Sequence, residues 1–496
     1  MIHQRRIDLR LVSLLFLAGL LLRLNYLISS GFDGLYGQDA YAYYNFAGNI
    51  QTFIQTGQSL PPFFWPLGYP ALLALSFTLL GPSAAVGQTV TLLMGATLAP
   101  LVYILARQMR SGVGSGFTAG LLMAVCGQSV QSSLVLMADI PALFWLLASG
   151  ITLMAYFSSH PEHKSRPMQL AAAVLFLSMA CLTRWLYLAL VPVWGAALLL
   201  YQETRWRDVG IAGIVGVLVL LPQLTYSLTN PYPVLNHAWV QGWSPFNAFQ
   251  HEFANIDGYF LYEQPNALFY AQPCYAAYYL APLFTPFILV GLLILARRKP
   301  CSRSIMLAGW LLLPYLFLIG IPYQNIRFPL IMFPAVALLA GIGLEYSVQW
   351  LAGRIPYRAL VYSGATLLVA VGAGLTAFTS IPIVTTFIAS QQDDKAVIRQ
   401  IAERLPPDTT VYTFGLTLAL RHYTDFEVYE LYHETPETLK EKWQHGRIDY
   451  LLVDPWNINS QWKGREPQIA MQWFEDQRVL TRIGNYSHYV LYRIGA

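Results

Sequence analysis

Long apolar segments recur along the chain up to about residue 380 and are separated by short polar turns. A membrane-spanning helix needs about 20 mostly apolar residues. By this criterion the pattern predicts eleven spans, near residues 9–29, 88–106, 113–134, 141–158, 168–184, 186–201, 209–228, 279–296, 304–321, 328–345 and 359–380. The first segment has no small-residue cleavage site, so we interpret it as a span and not as a signal peptide. The shorter apolar segment 67–80 is predicted to form a helix in the outer membrane interface.

The pattern changes after about residue 382 to that of a soluble α/β domain. Amphipathic periodicity predicts helices over 396–405 and 436–444, and β-rich runs predict strands over 410–414, 449–453 and 489–494. The predicted fold is therefore an all-α polytopic membrane domain, residues 1–382, with about eleven transmembrane helices plus interfacial helices. A small extracytoplasmic α/β domain, residues 383–496, follows it.

Composition agrees with a membrane protein, since only 11% of the residues are charged and 55% are hydrophobic. A soluble domain carries roughly 25% charged residues. The 30 basic and 26 acidic residues leave a net charge of +4, which indicates no nucleic-acid partner. The four cysteines match no zinc or redox spacing.

Basic residues are distributed unequally between the two sides of the predicted membrane domain. The outer loops 31–87 and 229–278 contain no Lys or Arg. The segments on the other side contain Arg5, Arg6, Arg10, Arg107, Arg110, Lys164, Arg166, Arg205, Arg207, Arg297, Arg298, Lys299, Arg303, Arg354 and Arg358. Because basic residues favour the cytoplasmic side, we predict a multi-pass protein of the plasma (inner) membrane. Its N-terminus is cytoplasmic and its C-terminal domain extracytoplasmic.

Carboxylates are rare in the outer half of the membrane domain, where they are expensive and usually functional. Six are predicted there: Asp33, Asp39, Asp139, Glu252, Asp257 and Glu263. Asp39 opens a predicted interfacial helix and Asp139 lies between two spans, so we predict that both are catalytic. A helix N-cap is the alternative interpretation of each.

Arginines of opposite charge occur near the same side of the membrane. Arg184 emerges near the outer end of one span and Arg327 opens another, and we predict that both bind an anion, since a guanidinium binds phosphate oxygens through paired hydrogen bonds. Snorkelling to lipid head groups is the alternative for both. We favour snorkelling for Arg23, inside the first span.

The first outer loop is rich in aromatic residues, including Tyr41, Tyr44 and Tyr69. Aromatic faces stack on sugar rings, and we predict that these three tyrosines contact substrate. An interfacial aromatic belt is the alternative explanation.

The order of these features resembles that of the C-type, polyprenyl-phosphate-sugar-dependent glycosyltransferases, especially the branch with protein O-mannosyltransferases and the lipid A aminoarabinose transferase. The similar segments are Asp39-Ala40-Tyr41-Ala42-Tyr43-Tyr44, Pro66-Leu67-Gly68-Tyr69-Pro70, Asp139 with Pro141, Leu182-Thr183-Arg184 and Arg327-Phe328-Pro329. The resemblance covers nearly the whole chain. It implies a polyprenyl-phosphate-linked sugar donor and a protein, lipid or polysaccharide acceptor.

The resemblance and the chemistry of the residues predict the same division of roles. Asp39 takes the proton of the acceptor hydroxyl, Asp139 orients acceptor or sugar, and Arg184 and Arg327 bind the lipid phosphate. An in-line displacement of a single sugar would invert the anomeric centre. Ala40 replaces a Glu that many members carry, so a role assigned to that Glu does not transfer. The Trp-Trp-Asp signature of oligosaccharyltransferases is absent, which argues against transfer of a whole glycan.

Two further alternatives remain from the sequence. A divalent metal at Asp39, Asp139 and His251 or Glu252 is disfavoured because no two ligand-type residues have helical metal spacing. The alternatives to a glycosyltransferase are a transporter or flippase of a lipid-linked saccharide and a non-catalytic envelope assembly protein. Transporters tend to show internal repeats, and none is visible here.

Overall fold

The computed structural model describes residues 2–160, 162–232, 238–297, 301–445 and 448–495. Arg298 and Lys299 of the predicted inner basic set, and residues 233–237 of the second outer loop, lie outside these ranges. The N-terminal part consists of helices α1 (Ile2–Ser30), α2 (Asp39–Thr56), α3 (Gly68–Leu80), α4 (Ala84–Gln108), α5 (Val113–Val125), α6 (Gly127–Ser133), α7 (Asp139–Ser158), α8 (Arg166–Thr183), α9 (Val191–Leu199), α10 (Trp206–Thr229), α11 (Ala238–Gln241), α12 (Asn266–Tyr270), α13 (Thr285–Arg297), α14 (Ser302–Ile319), α15 (Phe333–Ala352) and α16 (Arg358–Arg404). A small antiparallel hairpin, β1 (Glu252–Asn255) and β2 (Gly258–Leu261), lies in the second outer loop.

The predicted helical membrane domain is confirmed, with the β1–β2 hairpin as an addition in the second outer loop. Among the described residues, eight helices are long and apolar enough to cross a membrane, and α5 with α6 adds a ninth span that is bent by 55°. The other two predicted spans, 186–201 and 279–296, coincide with shorter apolar segments, Trp185–Leu199 and Pro282–Arg297. The predicted interfacial segment 67–80 is α3.

Arg23 does not snorkel to lipid head groups, so that interpretation was wrong. Its side chain is fully buried between α1 and the bend of α5 and α6. Nε donates to Ser133 Oγ at 3.0 Å, Nη2 to Ser129 Oγ at 2.9 Å and Nη1 to the Ala124 carbonyl at 3.3 Å. The bend exposes polar groups inside the bundle, and the guanidinium satisfies them.

Small residues allow α13 and α15 to pack closely. A Cβ at Gly343 would lie 1.9 Å from the Phe287 carbonyl oxygen, and one at Gly291 would lie 2.4 Å from that of Leu339. Close backbone approach at small residues is a common way for membrane helices to associate. It explains how the short α13 is held in the bundle.

The C-terminal part is a five-stranded mixed sheet with helices on its faces. It contains β3 (Thr410–Thr413), α17 (Thr417–Tyr423), β4 (Glu427–Glu430), α18 (Pro436–Gln444), β5 (Tyr450–Val453), α19 (Pro455–Ser460), α20 (Glu466–Asp476), β6 (Leu480–Tyr486) and β7 (Tyr489–Ile494). The strand order is β4-β3-β5-β7-β6, with β3 parallel to β4 and β5. The predicted boundary at residue 382 lies inside α16, which runs without interruption from the membrane domain into this part.

The C-terminal part packs on both outer loops of the membrane domain. The Tyr423 hydroxyl donates to Asp33 Oδ2 at 2.8 Å in the first loop. Arg465 Nη2 donates to the Asn255 carbonyl at 3.0 Å in the second loop. The α/β part therefore covers one end of the helix bundle.

Candidate active site

Two carboxylates and two guanidinium groups come together at the end of the bundle that the C-terminal part covers. Arg184 Nη1 lies 3.1 Å from Asp139 Oδ2, and Arg327 Nη1 lies 3.6 Å from the same oxygen. Arg327 Nη2 lies 3.8 Å from Asp39 Oδ2. Arg327 thus bridges the two predicted catalytic carboxylates. We call these four side chains the charged cluster.

The ends of helices position the charged cluster. Asp39 and Asp139 are the first residues of α2 and α7, where the helix dipole favours a negative charge. Arg184 is the residue after α8, and Arg327 precedes a 3-10 turn, Phe328–Met332. The N-cap positions are Gln38 and Ala138, so neither carboxylate is itself the N-cap residue that the alternative interpretation requires.

The two carboxylates differ in burial. The Asp139 side chain is 5% exposed, whereas that of Asp39 is 36% exposed. The arginines are intermediate, at 13% for Arg184 and 16% for Arg327. A solute reaching this end of the bundle therefore has access to Asp39 and much less access to Asp139.

Neighbouring polar and aromatic groups hold the arginines. Arg327 Nε donates to Asn325 Oδ1 at 3.3 Å, and the Arg327 backbone N–H donates to the same oxygen at 3.0 Å. The Arg184 guanidinium carbon lies 5.1 Å from the centre of the Phe328 ring, within cation–π distance. The Tyr187 hydroxyl donates to the Asp139 carbonyl at 3.4 Å.

Burial raises the pKa of the Asp39 carboxyl above its ordinary value. The positive charges of Arg327 and then Arg184 oppose this effect, and a hydrogen bond from the Trp65 indole lowers the pKa further. The net direction is upward, which brings the carboxylate closer to the range that suits a general base.

Tyr36 belongs to the same environment. Its hydroxyl has its pKa raised to about 12, mainly by burial, and it interacts electrostatically with all four members of the charged cluster. Tyr36 therefore stays protonated at neutral pH and can donate a hydrogen bond there. The sequence marks Tyr36 and Trp65 only as two of many aromatic residues in the first outer loop.

Of the three predicted substrate-contacting tyrosines, Tyr41 and Tyr44 lie elsewhere in the first loop, whereas Tyr69 is within electrostatic range of Asp139. The Tyr41 and Tyr44 rings lie 5.5 Å and 5.3 Å from the His422 ring of the C-terminal part. The Tyr69 hydroxyl is buried and shares a 2.9 Å hydrogen bond with Thr91 Oγ1. Tyr41 and Tyr44 therefore form part of the contact between the two parts of the chain, and Tyr69 packs inside the membrane domain.

Three of the four other outer acidic residues, Asp33, Glu252 and Glu263, have surroundings different from those of the charged cluster. The fourth, Asp257, interacts electrostatically with Tyr323, as do Arg327 and Asp39. Asp33 forms an ion pair with Lys395 at the C-terminal part. Glu252 is exposed in the β1 strand, next to His251, whose Nδ1 lies 3.0 Å from the Tyr262 carbonyl oxygen. Glu263 is exposed in the same loop.

A metal ion does not fit the donors of the charged cluster. Over the described ranges, no three His, Cys, Asp or Glu side chains come together in a group that could hold one. Asp39 and Asp139 both face the Arg327 guanidinium, whose positive charge would repel a cation. We therefore derive no chemistry through a metal.

Comparison with known proteins identifies one matching family model and several solved structures with a similar fold. The family model described as dolichyl-phosphate-mannose-protein mannosyltransferase matches residues 88–235, which include Asp139 and Arg184. No curated protein sequence matches the chain.

Solved structures are similar over almost the whole chain. ArnT from Cupriavidus metallidurans, bound to undecaprenyl phosphate, has a TM-score of 0.64 at 12% identity, over 97% of both chains. The Archaeoglobus fulgidus oligosaccharyltransferase, in complex with Zn and sulfate, has a TM-score of 0.62 at 12% identity, over 90% of this chain and 68% of that chain. AglB of the same organism, with an inhibitory peptide and a dolichol-phosphate, has a TM-score of 0.58 at 13% identity, over 97% and 73%. The resemblance predicted from the sequence is thereby confirmed, and the chain has the fold of the C-type membrane glycosyltransferases.

Proposed function

We propose that this protein is an inverting glycosyltransferase that moves a single sugar from a polyprenyl-phosphate donor to an acceptor hydroxyl. The observation that carries the proposal is the charged cluster, in which Arg327 lies between an accessible and a buried carboxylate. The fold supports it, because the similar structures include ArnT bound to undecaprenyl phosphate and AglB bound to a dolichol-phosphate. The family-model match to mannosyltransferases supports the same class of donor.

Asp39 is the general base in this proposal. Its side chain is the most exposed of the charged cluster, so an acceptor hydroxyl can approach it. Its raised pKa strengthens it as a base while Arg327 and Arg184 favour the ionised form. The hydrogen bond from Trp65 orients the carboxylate.

Arg184 and Arg327 bind the phosphate of the donor. Phosphate oxygens accept paired hydrogen bonds from guanidinium groups, and the negative charge that develops on the leaving phosphate strengthens those bonds in the transition state. Asp139 touches both arginines and is almost fully buried, which supports a positioning role. This modifies the expectation that Asp139 orients acceptor or sugar directly.

The reaction is a single displacement. The acceptor oxygen attacks the anomeric carbon and forms the new glycosidic bond while its proton passes to Asp39. The bond between the anomeric carbon and the phosphate oxygen breaks, and its electron pair leaves with the polyprenyl phosphate, held by Arg184 and Arg327. Attack opposite the leaving group inverts the anomeric centre.

Tyr41, Tyr44 and Tyr69 are kept in the proposal as residues that shape the substrate path. The contacts of Tyr41 and Tyr44 with His422 favour a role at the acceptor side, where the C-terminal part covers the first loop. The acceptor itself is a protein, lipid or polysaccharide hydroxyl.

The protein spans the membrane several times, and we place the charged cluster at the extracytoplasmic face of the plasma (inner) membrane. Arg107, near the end of α4, lies 3.3 Å from Asp8, near the start of α1. The first outer loop adjoins the opposite ends of these two helices. Arg107, one of the predicted inner basic residues, thus lies at the end of the bundle opposite the outer loops, which supports this orientation. Cys301 is exposed at that inner end, so a membrane-impermeant maleimide should label it only after permeabilisation. A cysteine introduced at Gln58, in the first outer loop, should be labelled in intact cells in a Cys301→Ser background.

The experiment that tests the proposed activity uses purified protein and a panel of polyprenyl phosphates that each carry one sugar. We expect release of polyprenyl phosphate with one member of the panel, and NMR of the product should show the anomeric configuration opposite to that of the donor. A product with the donor's configuration contradicts the single displacement. Movement of intact donor between leaflets of proteoliposomes, without cleavage of any panel member, would favour the flippase alternative.

A further inference from the structure

A cavity of about 480 Å³ lies at the end of the bundle opposite the charged cluster. It is formed by the turn after α4, the start of α14 and the inner ends of α13 and α15. Arg110, Arg303 and Glu345 line it. Its volume is in the range of small-molecule binding sites, roughly 300–1,000 Å³. We call it the inner cavity.

The inner cavity has a cationic side with unused hydrogen-bonding capacity. Arg303 Nη2 donates to Ser158 Oγ at 3.1 Å, but its Nε is buried without a hydrogen-bond partner among the described residues. Arg110 is close enough to Arg303 for the two positive charges to interact. The Arg110 backbone has a φ of 65°, which is uncommon for a residue other than glycine. An anion between the two guanidinium groups would relieve their repulsion and satisfy the buried N–H.

A fixed carboxylate lines the same cavity. Glu345 Oε2 accepts from the Gly112 backbone N–H at 3.1 Å, and Oε1 accepts from Gln349 Nε2 at 3.3 Å. A Cβ at position 112 would lie 1.7 Å from Glu345 Oε1, so the carboxylate can occupy this place only because residue 112 is a glycine. Among the described residues that line it, the inner cavity thus presents the positive groups of Arg110 and Arg303 and the negative group of Glu345. This arrangement is complementary to a ligand that carries both a phosphate and an ammonium group.

An apolar groove of about 660 Å³ adjoins the inner cavity and shares Glu345 and Gln349 with it. It runs between α5, α15 and α16 and is lined by side chains such as Phe117, Leu121 and Val369. A ligand that fills both spaces must have a charged head and a long apolar tail. Basic pockets between membrane helices on the cytoplasmic side are known to hold lipid head groups.

We propose that the inner cavity and its groove bind a phospholipid of the cytoplasmic leaflet whose head group is a phosphoethanolamine. Arg110 and Arg303 hold the phosphate, Glu345 accepts from the ammonium, and one acyl chain lies in the groove. This site is separate from the proposed transferase site and does not depend on the transferase activity.

The test is native mass spectrometry of the purified full-length protein with phosphatidylethanolamine, phosphatidylglycerol and phosphatidylcholine of identical acyl chains. Phosphatidylethanolamine should bind about tenfold more tightly than the other two, because only it combines the phosphate with N–H donors for the carboxylate. Arg303→Gln should weaken binding of all three lipids, and Glu345→Gln should remove the preference for phosphatidylethanolamine over phosphatidylglycerol. Arg207→Gln, on an exposed residue at the same end, is the matched control and should change nothing.

Glu345→Gln keeps a carbonyl that can accept from Gly112, so the variant is expected to fold, and its thermal unfolding checks this. Equal binding of the three lipids by the wild type, or unchanged binding in a folded Arg303→Gln variant, would overturn the proposal. Glycerophosphoethanolamine, which lacks acyl chains, should not displace the lipid. Displacement at equal concentration would show that the site takes a soluble phosphate compound instead.

Discussion

Arg327 links both carboxylates of the charged cluster, so replacing it is the most informative single change in the proposed mechanism. In Arg327→Gln the side chain is shorter and loses its charge, but its amide can still donate hydrogen bonds. Asp139 retains Arg184 at 3.1 Å, so the buried carboxylate is still neutralised and the local fold should survive. Asp39, by contrast, loses the cation that lies 3.8 Å away.

The expected loss of activity follows from the charge on the leaving phosphate. Removing one preorganised group that stabilises developing negative charge typically costs about 3 kcal/mol of transition-state stabilisation. Such a loss corresponds to a roughly hundredfold lower kcat. Because the Arg327 side chain is only 16% exposed, water cannot easily take its place beside the phosphate. We therefore expect the loss of kcat to be close to this hundredfold value.

The same variant should change the pH dependence. Burial raises the pKa of Asp39 and Arg327 is the strongest influence that lowers it, so removing Arg327 raises the pKa further. A general base is active when ionised, and activity is lost as the pH falls through its pKa. The acidic limb of kcat/KM should therefore move to higher pH in Arg327→Gln than in the wild type.

The assay is the initial rate of polyprenyl phosphate release between pH 4 and pH 9, with donor binding measured separately. Arg482→Gln, in an exposed hairpin of the C-terminal part, is the matched control and should keep the wild-type rate and profile. A correctly folded Arg327→Gln enzyme with the wild-type rate and an unmoved acidic limb would show that Arg327 neither stabilises the leaving phosphate nor sets the pKa of Asp39.

Three other changes test neighbouring parts of the structure. Trp65→Phe removes the indole donor to Asp39 but keeps the ring, so kcat should fall about tenfold and the acidic limb should move to higher pH; pH–rate profiles check this. Gln38 precedes Asp39, and its side chain accepts from the Leu418 backbone N–H of α17 at 3.2 Å and donates to the Glu430 carboxylate of β4 at 3.5 Å. Gln38→Ala removes both hydrogen bonds, so kcat should fall several-fold with donor binding unchanged. Gly95→Ala would place a Cβ 2.1 Å from Ser133 Oγ beside the buried arginine of α1, and the thermal unfolding temperature should drop by several degrees; an unchanged unfolding temperature would contradict the tight packing.

Much of the fold could be predicted because a bilayer imposes a simple rule on sequence. Long apolar runs indicate spans, and the predicted strand 489–494 and helix 436–444 coincide with β7 and α18. The short apolar segments Trp185–Leu199 and Pro282–Arg297 are less regular, because their ends are 3-10 turns that hydropathy does not distinguish from helix. The continuity of α16 past residue 382 was also missed, since composition changes there while the backbone does not.

The sequence could point to the charged residues of the site because carboxylates are rare in the outer half of the membrane domain. The sequence could not specify the contacts among these charged residues, because those contacts depend on how the helix ends that carry them meet in the fold. Arg23 shows the limit: a lone arginine in an apolar run favours snorkelling, and only the bend between α5 and α6 explains its burial.

Tyr36 and Trp65 could not be identified from the sequence as neighbours of Asp39, for another reason. The first outer loop contains many aromatic residues with the same local signal, and side-chain geometry alone distinguishes those that interact with Asp39, among them Tyr36, Tyr43 and Trp65. The same geometry directs Tyr41 and Tyr44 toward the C-terminal part.

The proposed catalytic role of Asp39 is tested most directly by turnover of the polyprenyl-phosphate sugar in Asp39→Asn, with Glu263→Gln, another carboxylate of the outer loops, as the control. We expect no detectable release of polyprenyl phosphate from Asp39→Asn, with donor binding retained because Asp139 still holds Arg184 and Arg327. Glu263→Gln should turn over normally. Wild-type turnover by a folded Asp39→Asn protein would show that Asp39 is not the general base.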